Sequence, residues 1–279
     1  ELMESPARLE KIVDYIIANH SRKTHTKEFT GMFCVSSIPT LIKYYELFQR
    51  KKMLSEHDLK IATIFSYISN EDDADANGFI PEEIAVAAEP EIAYATNVHT
   101  REKLDEFIGH YNQMFGSAYS TKDSQSFYNY YNDISKKVKE RKIDILLVVN
   151  MYLTGFDSPS LNTLYVDKNL RYHGLIQAYS RTNRILNELK SQGNIVVFRN
   201  LKNATDEAIT LFSNKDAIEE IIMKPYDEYV KAFNDGFINL LQITPTVDSV
   251  NNLVTEDDEL KFIIAFRNLM RIKNVLTSF

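Results

Sequence analysis

The chain is short of glycine, with 8 in 279 residues, where average usage of about 7% would supply roughly 20. Glycine builds the loops that cradle phosphates and the tightest turns, so its scarcity points to a helix-rich protein. No glycine precedes Lys-Ser or Lys-Thr, which excludes a Walker A phosphate loop. A Walker B carboxylate pair is missing as well. The apolar run ending at Val149 leads into Asn150, and the run ending at Val166 leads into Asp167-Lys168. This stretch of chain is therefore expected not to hydrolyse ATP alone. Tryptophan is absent and Cys34 is the single cysteine, so no internal disulfide can form. The apolar setting of Cys34, between Phe33 and Val35, suits a small buried side chain better than a reactive thiol. No apolar run nears the roughly 18 residues of a membrane span, and the N-terminus lacks a signal-peptide core. A cytoplasmic protein with no membrane partner is expected.

Positive charge is also scarce. The 32 Lys and Arg stand against 39 Asp and Glu, a balance of -7, unlike domains that hold nucleic acid by bulk charge. Any nucleic-acid role must be local, and the charge is indeed uneven. Residues 66–98 hold eight acidic residues and no Lys or Arg, whereas the rest of 1–198 holds 23 basic against 18 acidic residues. Residues 199–279 hold 9 basic and 13 acidic residues. The six histidines, at 20, 25, 57, 99, 110 and 173, show no zinc-ligand spacing, so no metal centre is expected. Asp73-Ala-Asp75-Ala-Asn77-Gly78 opens like a calcium loop, but its ninth position is Pro81 and its twelfth is Ile84 where a bidentate Glu belongs. A solvated acidic loop fits better. Glu188-Leu-Lys190 resembles the tail of a nuclease motif without the Asp partner such sites need, and reads as surface helix.

What is present is a regular alternation of elements. Pro6 opens a helix after Ser5, with Leu9, Ile12, Val13, Ile16 and Ile17 on one face. A continuous apolar run at 31–35 and predominantly apolar runs at 59–65, 143–149 (interrupted by Asp144), 161–166 and 194–198 read as buried strands. Between them lie helical patterns carrying Leu41, Ile42, Tyr45 and Phe48, then Leu104, Phe107, Ile108 and Tyr111, then Phe127, Tyr131, Ile134 and Val138, and finally 174–185. Ser36 and Ser37 stand where the first of these needs a cap. Beyond residue 201 the strand signals stop, and 201–212, 217–223, 226–241 and 260–276 all have helical spacing. Fold class is thus α/β, a mostly parallel sheet covered on both faces, followed by an all-helical domain. The chain starts at Glu1 and stops inside a helical pattern, as expected of an excerpt from a longer protein.

Chemical specificity concentrates between 143 and 185. A buried strand runs into a loop bearing Asn150, Thr154, Gly155, Phe156 and Asp157, and Gln177-Ala-Tyr-Ser-Arg181-Thr-Asn-Arg184 follows. On a helix, Arg181 and Arg184 would share a face, and two guanidinium forks together suit a polyphosphate, although pairing with surface carboxylates is also open to them.

These segments resemble motifs V and VI of superfamily 2 helicases. More narrowly, LTGFDSPSLNTLYVDKNLRYHGLIQAYSRTNRI is similar to the motor (R) subunit of type I restriction-modification enzymes, while MFCVSSIPTLIKYYELF resembles motif IV. The resemblance implies that residues 1–198 are a second RecA-like lobe, with an acidic insertion at about 66–98, and that 199–279 are a helical domain. A first lobe and a nuclease would then lie elsewhere in a longer subunit. The resemblance also implies the site. Arg184 matches the arginine finger, Arg181 its companion on the γ-phosphate, and Gln177 the opening of motif VI. Gly155 and Asp157 match the motif V loop that touches nucleotide, whereas Ser36, Ser37, Thr154 and Asn150 fall where DNA is contacted. Val149 and Asn150 depart from the small hydroxyl residue and Asp usual there, and Ser180 replaces a frequent glycine. Implied cofactors are ATP and Mg2+, bound only in the full-length protein. Implied partners are double-stranded DNA and the methyltransferase and specificity subunits. The alternative is a helical interaction module that docks the motor on that complex without a catalytic contribution. For the loop at 73–84, calorimetric titration with calcium is expected to show no micromolar binding.

Overall fold

The computed structural model describes residues 2–65, 98–153, 156–184, 190, 192–212 and 225–278. The calcium-like loop, the acidic segment up to residue 97 and the helix expected at 217–223 lie outside these residues. The chain divides into two compact units, Glu1–Asn183 with Gly193–Phe212, and Arg184–Gln192 with Ser213–Phe279.

Among the described residues, the first unit holds five strands, β1 (Thr30–Val35), β2 (Ile61–Ile64), β3 (Ile145–Val148), β4 (Leu161–Asp167) and β5 (Asn194–Val197). All pair in parallel, in the order β2-β3-β1-β4-β5. Every residue of β1 through β4 is buried. Because successive side chains point to opposite faces, this means that both faces are covered, and it is why these strands read as mainly apolar runs without polar alternation. The described helices of the unit include α1 (Pro6–Lys23), α2 (Ile38–Met53), α3 (Val98–Phe115), α4 (Ser124–Lys139), α5 (Tyr172–Ser180) and α6 (Lys202–Phe212). Phe33 of β1 packs edge-on against Tyr44, Tyr165 and Phe198 at the centre. Gly31 lets β1 pass close to α1, since a Cβ there would lie 3.0 Å from His20 Cε1. Cys34 is buried, as its sequence setting implies, and burial pushes its thiol up to about 11.

Two expectations change in detail. The buried face of α4 uses Tyr130 rather than Tyr131, because Tyr131 instead stacks on Tyr152 beside it, ring centroids 4.7 Å apart. Ser5 adopts the extended cap backbone, but its side chain makes no capping bond. In the second unit, α7 (Tyr226–Ile243) and α8 (Glu256–Ser278) pack on each other. Thr255 caps α8 by accepting from Asp258 N at 3.2 Å, with acidic residues in the first turn where the helix dipole favours them. None of the described helices is long and apolar enough to cross a membrane.

One buried carboxylate joins most of the first unit. Asp167, the last residue of β4, is fully buried. It accepts from Arg8 of α1 at 2.6 and 3.0 Å, from Tyr44 of α2 at 2.6 Å, and from Arg199 after β5 at 2.9 Å. Arg8 also donates to the Phe198 carbonyl at 2.8 Å. Burial alone would raise the Asp167 pKa. The bonds from Arg8, Tyr44 and Arg199 outweigh it and hold the carboxyl below its ordinary value. Removing the charge strands two guanidiniums, so Asp167→Asn is expected to cost about 3–5 kcal/mol in urea denaturation at pH 7. A carboxyl with a depressed folded pKa stabilises the fold above its unfolded value near 4, and that stability is lost as pH falls through the folded value. The gap between wild type and Asp167→Asn is therefore expected to narrow when the same denaturation is repeated towards pH 3.

Candidate functional site

Three neighbouring strands end together. The register sets Cys34 opposite Val148 and Val35 opposite Asp167, so Ser36-Ser37, Val149-Asn150 and Lys168 leave β1, β3 and β4 at one edge. The connection from β1 goes towards β2, whereas that from β3 passes to β4 on the other side of β1. Such divergence at the carboxyl ends of a parallel sheet opens the crevice in which ligands of open α/β sheets bind.

At the end of β1 the cap falls to Ser37, whose hydroxyl oxygen accepts from Thr40 N at 3.3 Å and lies 2.9 Å from Thr40 Oγ1. Ser36 Oγ lies 3.5 Å from the same Thr40 hydroxyl. With Pro39 at the start of the helix, the first-turn N–H groups of α2 point out of this edge, a polarity suited to an anion.

At the end of β3, the Asn150 side-chain oxygen accepts a hydrogen bond from the Lys168 ammonium. Lys168 also donates to the Val149 carbonyl at 3.3 Å, to which Cys34 Sγ donates at 3.4 Å. Sequence reasoning passed over Lys168, which counted only as part of a missing Walker B pair. Its position one residue beyond a buried strand was the available signal.

The turn after Asn150 is closed by Leu153 N donating to Asn150 O at 3.2 Å. It places Tyr152 at φ 65°, a left-handed conformation that costs a bulky residue energy. Compensation comes from an aromatic seat. Tyr152 stacks on Tyr131, meets the Phe156 ring at 4.7 Å, and donates its hydroxyl to the Tyr131 carbonyl at 2.6 Å. Asp157 is exposed, and Thr154 and Gly155 lie outside the described residues.

Beyond the loop, α5 was expected to reach residue 185 with both arginines on one face. It stops at Ser180. The reason is competition for its last carbonyls. Ser180 Oγ and Arg181 Nε both donate to the Gln177 carbonyl, at 2.8 and 3.1 Å, and Thr182 Oγ1 donates to that of Tyr179 at 3.0 Å. Gly193 packs against this end so closely that a Cβ would fall 2.2 Å from Thr182 Oγ1. Arg181 Nη1 donates to the Phe156 carbonyl at 2.6 Å, so this guanidinium ties the loop to the end of α5. Gln177 is half-buried beside it. Arg184 falls beyond the helix, exposed, and belongs with the second unit. Lys190 is buried rather than on a surface helix, and its amine donates to the Arg184 carbonyl. Burial, and then the charge of Arg184, lower its pKa to about 8.

Fold and site together define a RecA-like α/β lobe followed by a helical region, with loops gathered at the carboxyl ends of three central strands. Residues 27–200 match the family described as type I restriction enzyme subunit R domain 3. Residues 221–279 match the C-terminal region of subunit R of type I restriction and modification enzymes. The chain belongs to the type I restriction enzyme R subunit family. It is 43% identical over 273 residues to a type I restriction enzyme endonuclease subunit of Staphylococcus aureus (strain COL), covering 98% of this chain and 27% of that protein. A corresponding subunit of Staphylococcus saprophyticus is 41% identical over 280 residues, covering 100% of this chain and 28% of its own. A putative endonuclease subunit of Methanocaldococcus jannaschii is 25% identical over 265 residues, covering 93% and 21%. The chain thus spans about a quarter of the length of the curated relatives it matches.

Tyr152→Phe keeps the aromatic stack but leaves the Tyr131 carbonyl without its donor. A loss of about 1 kcal/mol is expected in chemical denaturation.

Proposed function

We propose that this chain supplies the second RecA-like lobe and the helical domain of an ATP-driven DNA translocase within a type I restriction endonuclease. The observation that carries this reading is the meeting of two segments at the carboxyl edge of the sheet, the Ser37-capped helix after β1 and the Asn150 turn after β3. Further along the loop from β3, the Phe156 carbonyl is bonded to Arg181 at the end of α5. Ser36, Ser37, Asn150 and Thr154 would meet the phosphates of double-stranded DNA through hydroxyl, amide and backbone N–H groups, contacts that position without reading sequence. Gly155, Asp157 and Gln177 would line the nucleotide. ATP and Mg2+ would be held chiefly by a first lobe elsewhere in the longer protein, and the methyltransferase and specificity subunits would bring the motor to its DNA.

Arg184 is assigned as the arginine finger, stabilising charge on the transferred phosphoryl group, an effect worth about 10³ to 10⁵ in rate in related nucleotide hydrolases. Arg181, which donates to Phe156 O, Gln177 O and Ser180 Oγ, is assigned as its companion on the γ-phosphate. Closure of two lobes on ATP would then be coupled to stepping along DNA. A second reading, a docking module without a catalytic contribution, is favoured by the apolar side chains exposed on α7 and α8, among them Phe237, Ile238, Ile264 and Phe266.

In the full-length subunit, Arg184→Ala is expected to abolish DNA-stimulated ATP hydrolysis and translocation while loading onto DNA by the partner complex persists. Steady-state ATPase and triplex-displacement assays read this directly. Unchanged ATP hydrolysis would sink the finger assignment and favour the docking module.

A further inference from the structure

Lys168 stands where the buried frame of the lobe passes into its candidate site. Its neighbour Asp167 is locked by Arg8, Tyr44 and Arg199, which leaves the backbone at residue 168 little freedom. From there the side chain must pass the end of β1, because β1 lies between β4 and β3. It reaches the Val149 carbonyl at 3.3 Å and the Asn150 side-chain oxygen. Both acceptors are neutral oxygens, and one of them, the Val149 carbonyl, also receives Cys34 Sγ. Three strand ends therefore converge on two consecutive residues, the two that open the turn holding Tyr152 in its left-handed conformation.

We propose that Lys168 is a positioning residue for the motor reaction, fixing the turn Asn150–Leu153 by binding the Val149 carbonyl and the Asn150 amide oxygen. This rests on the translocase reading above. A charged donor on a neutral acceptor makes a hydrogen bond stronger than a neutral pair. An ammonium with three donors can hold two convergent oxygens at once. The turn's start is thereby referenced to the Asp167 cluster, and its far side is held separately by Arg181 on Phe156 O. Without Lys168 the Asn150 amide oxygen loses this charged donor, and a misplacement of about 1 Å at such a site can cost up to 10²-fold in rate.

The test uses the full-length subunit assembled with its partner subunits, and compares Lys168→Met, Lys168→Arg, Asn150→Ala and the Lys168→Met/Asn150→Ala double variant. In Lys168→Met, kcat for DNA-stimulated ATP hydrolysis is expected to fall about tenfold with KM for ATP within about twofold. Lys168→Arg, which keeps donors and charge, should recover most of the rate. The double variant should be no slower than the slower single variant, because both changes break one bond. Multiplicative losses, or wild-type kcat in Lys168→Met, overturn the proposal. So does a salt dependence of DNA binding shallower by about 0.9 in log-log slope, which would make Lys168 a direct phosphate ligand. Should Lys168→Met fail to fold, Asn150→Ala removes the other end of the bond, and wild-type kcat there is equally fatal. Arg184→Ala run in parallel separates the two levels. If it keeps full ATPase activity the motor reading fails. If it is inactive while Lys168→Met is normal, only the positioning role fails.

Discussion

The fold of the first unit hangs on one carboxylate between two guanidiniums. Asp167 closes the end of β4, and its partners come from α1, from α2 and from the chain after β5. Two cations and a phenol around a single anion leave the cluster with net positive charge at the sheet edge from which the loops emerge. Arginine suits the arrangement because it stays charged and presents a planar fork to a carboxylate. A buried pair of this kind is no reliable source of net stability, since desolvation offsets much of the attraction. What it supplies is geometry: it fixes where β4 stops, and so where the neighbouring strand ends lie.

Much of the architecture was legible in one sequence. The strands at 30–35, 61–64, 145–148, 161–167 and 194–197 all fall within or beside the apolar runs read as strands, because strands covered on both faces need no polar alternation. The ends of elements were less legible. The helix carrying Gln177 stops at Ser180 rather than 185, since Ser180, Arg181 and Thr182 take its last carbonyls. Helical periodicity is blind to such competition until the chain is folded.

The candidate site divides in the same way. Ser37 as a cap could be read from its place before a helix opening with Pro39. The Asp167 cluster could not, because its partners stand 159, 123 and 32 residues away along the chain. Lys168 was invisible for a related reason, its acceptors lying just past the end of a strand that is not adjacent in the sheet. Arg181 was read with Arg184 as a pair suited to phosphate, and its bond to the Phe156 carbonyl could not be read from the sequence. The neighbours of charged residues in one short segment emerge only in three dimensions.

The strand order also bears on how the chain reaches this structure. β1 is central, yet Gly31 pairs with Ile145 and Thr30 with Leu161. Nothing made before residue 145 can cover either edge of the strand that the sheet is built around. During synthesis, the wholly apolar segment Met32–Val35 must therefore wait while more than a hundred further residues emerge. Contacts so distant along the chain slow folding, and they leave an unpaired apolar strand exposed to other chains until β3 and β4 arrive.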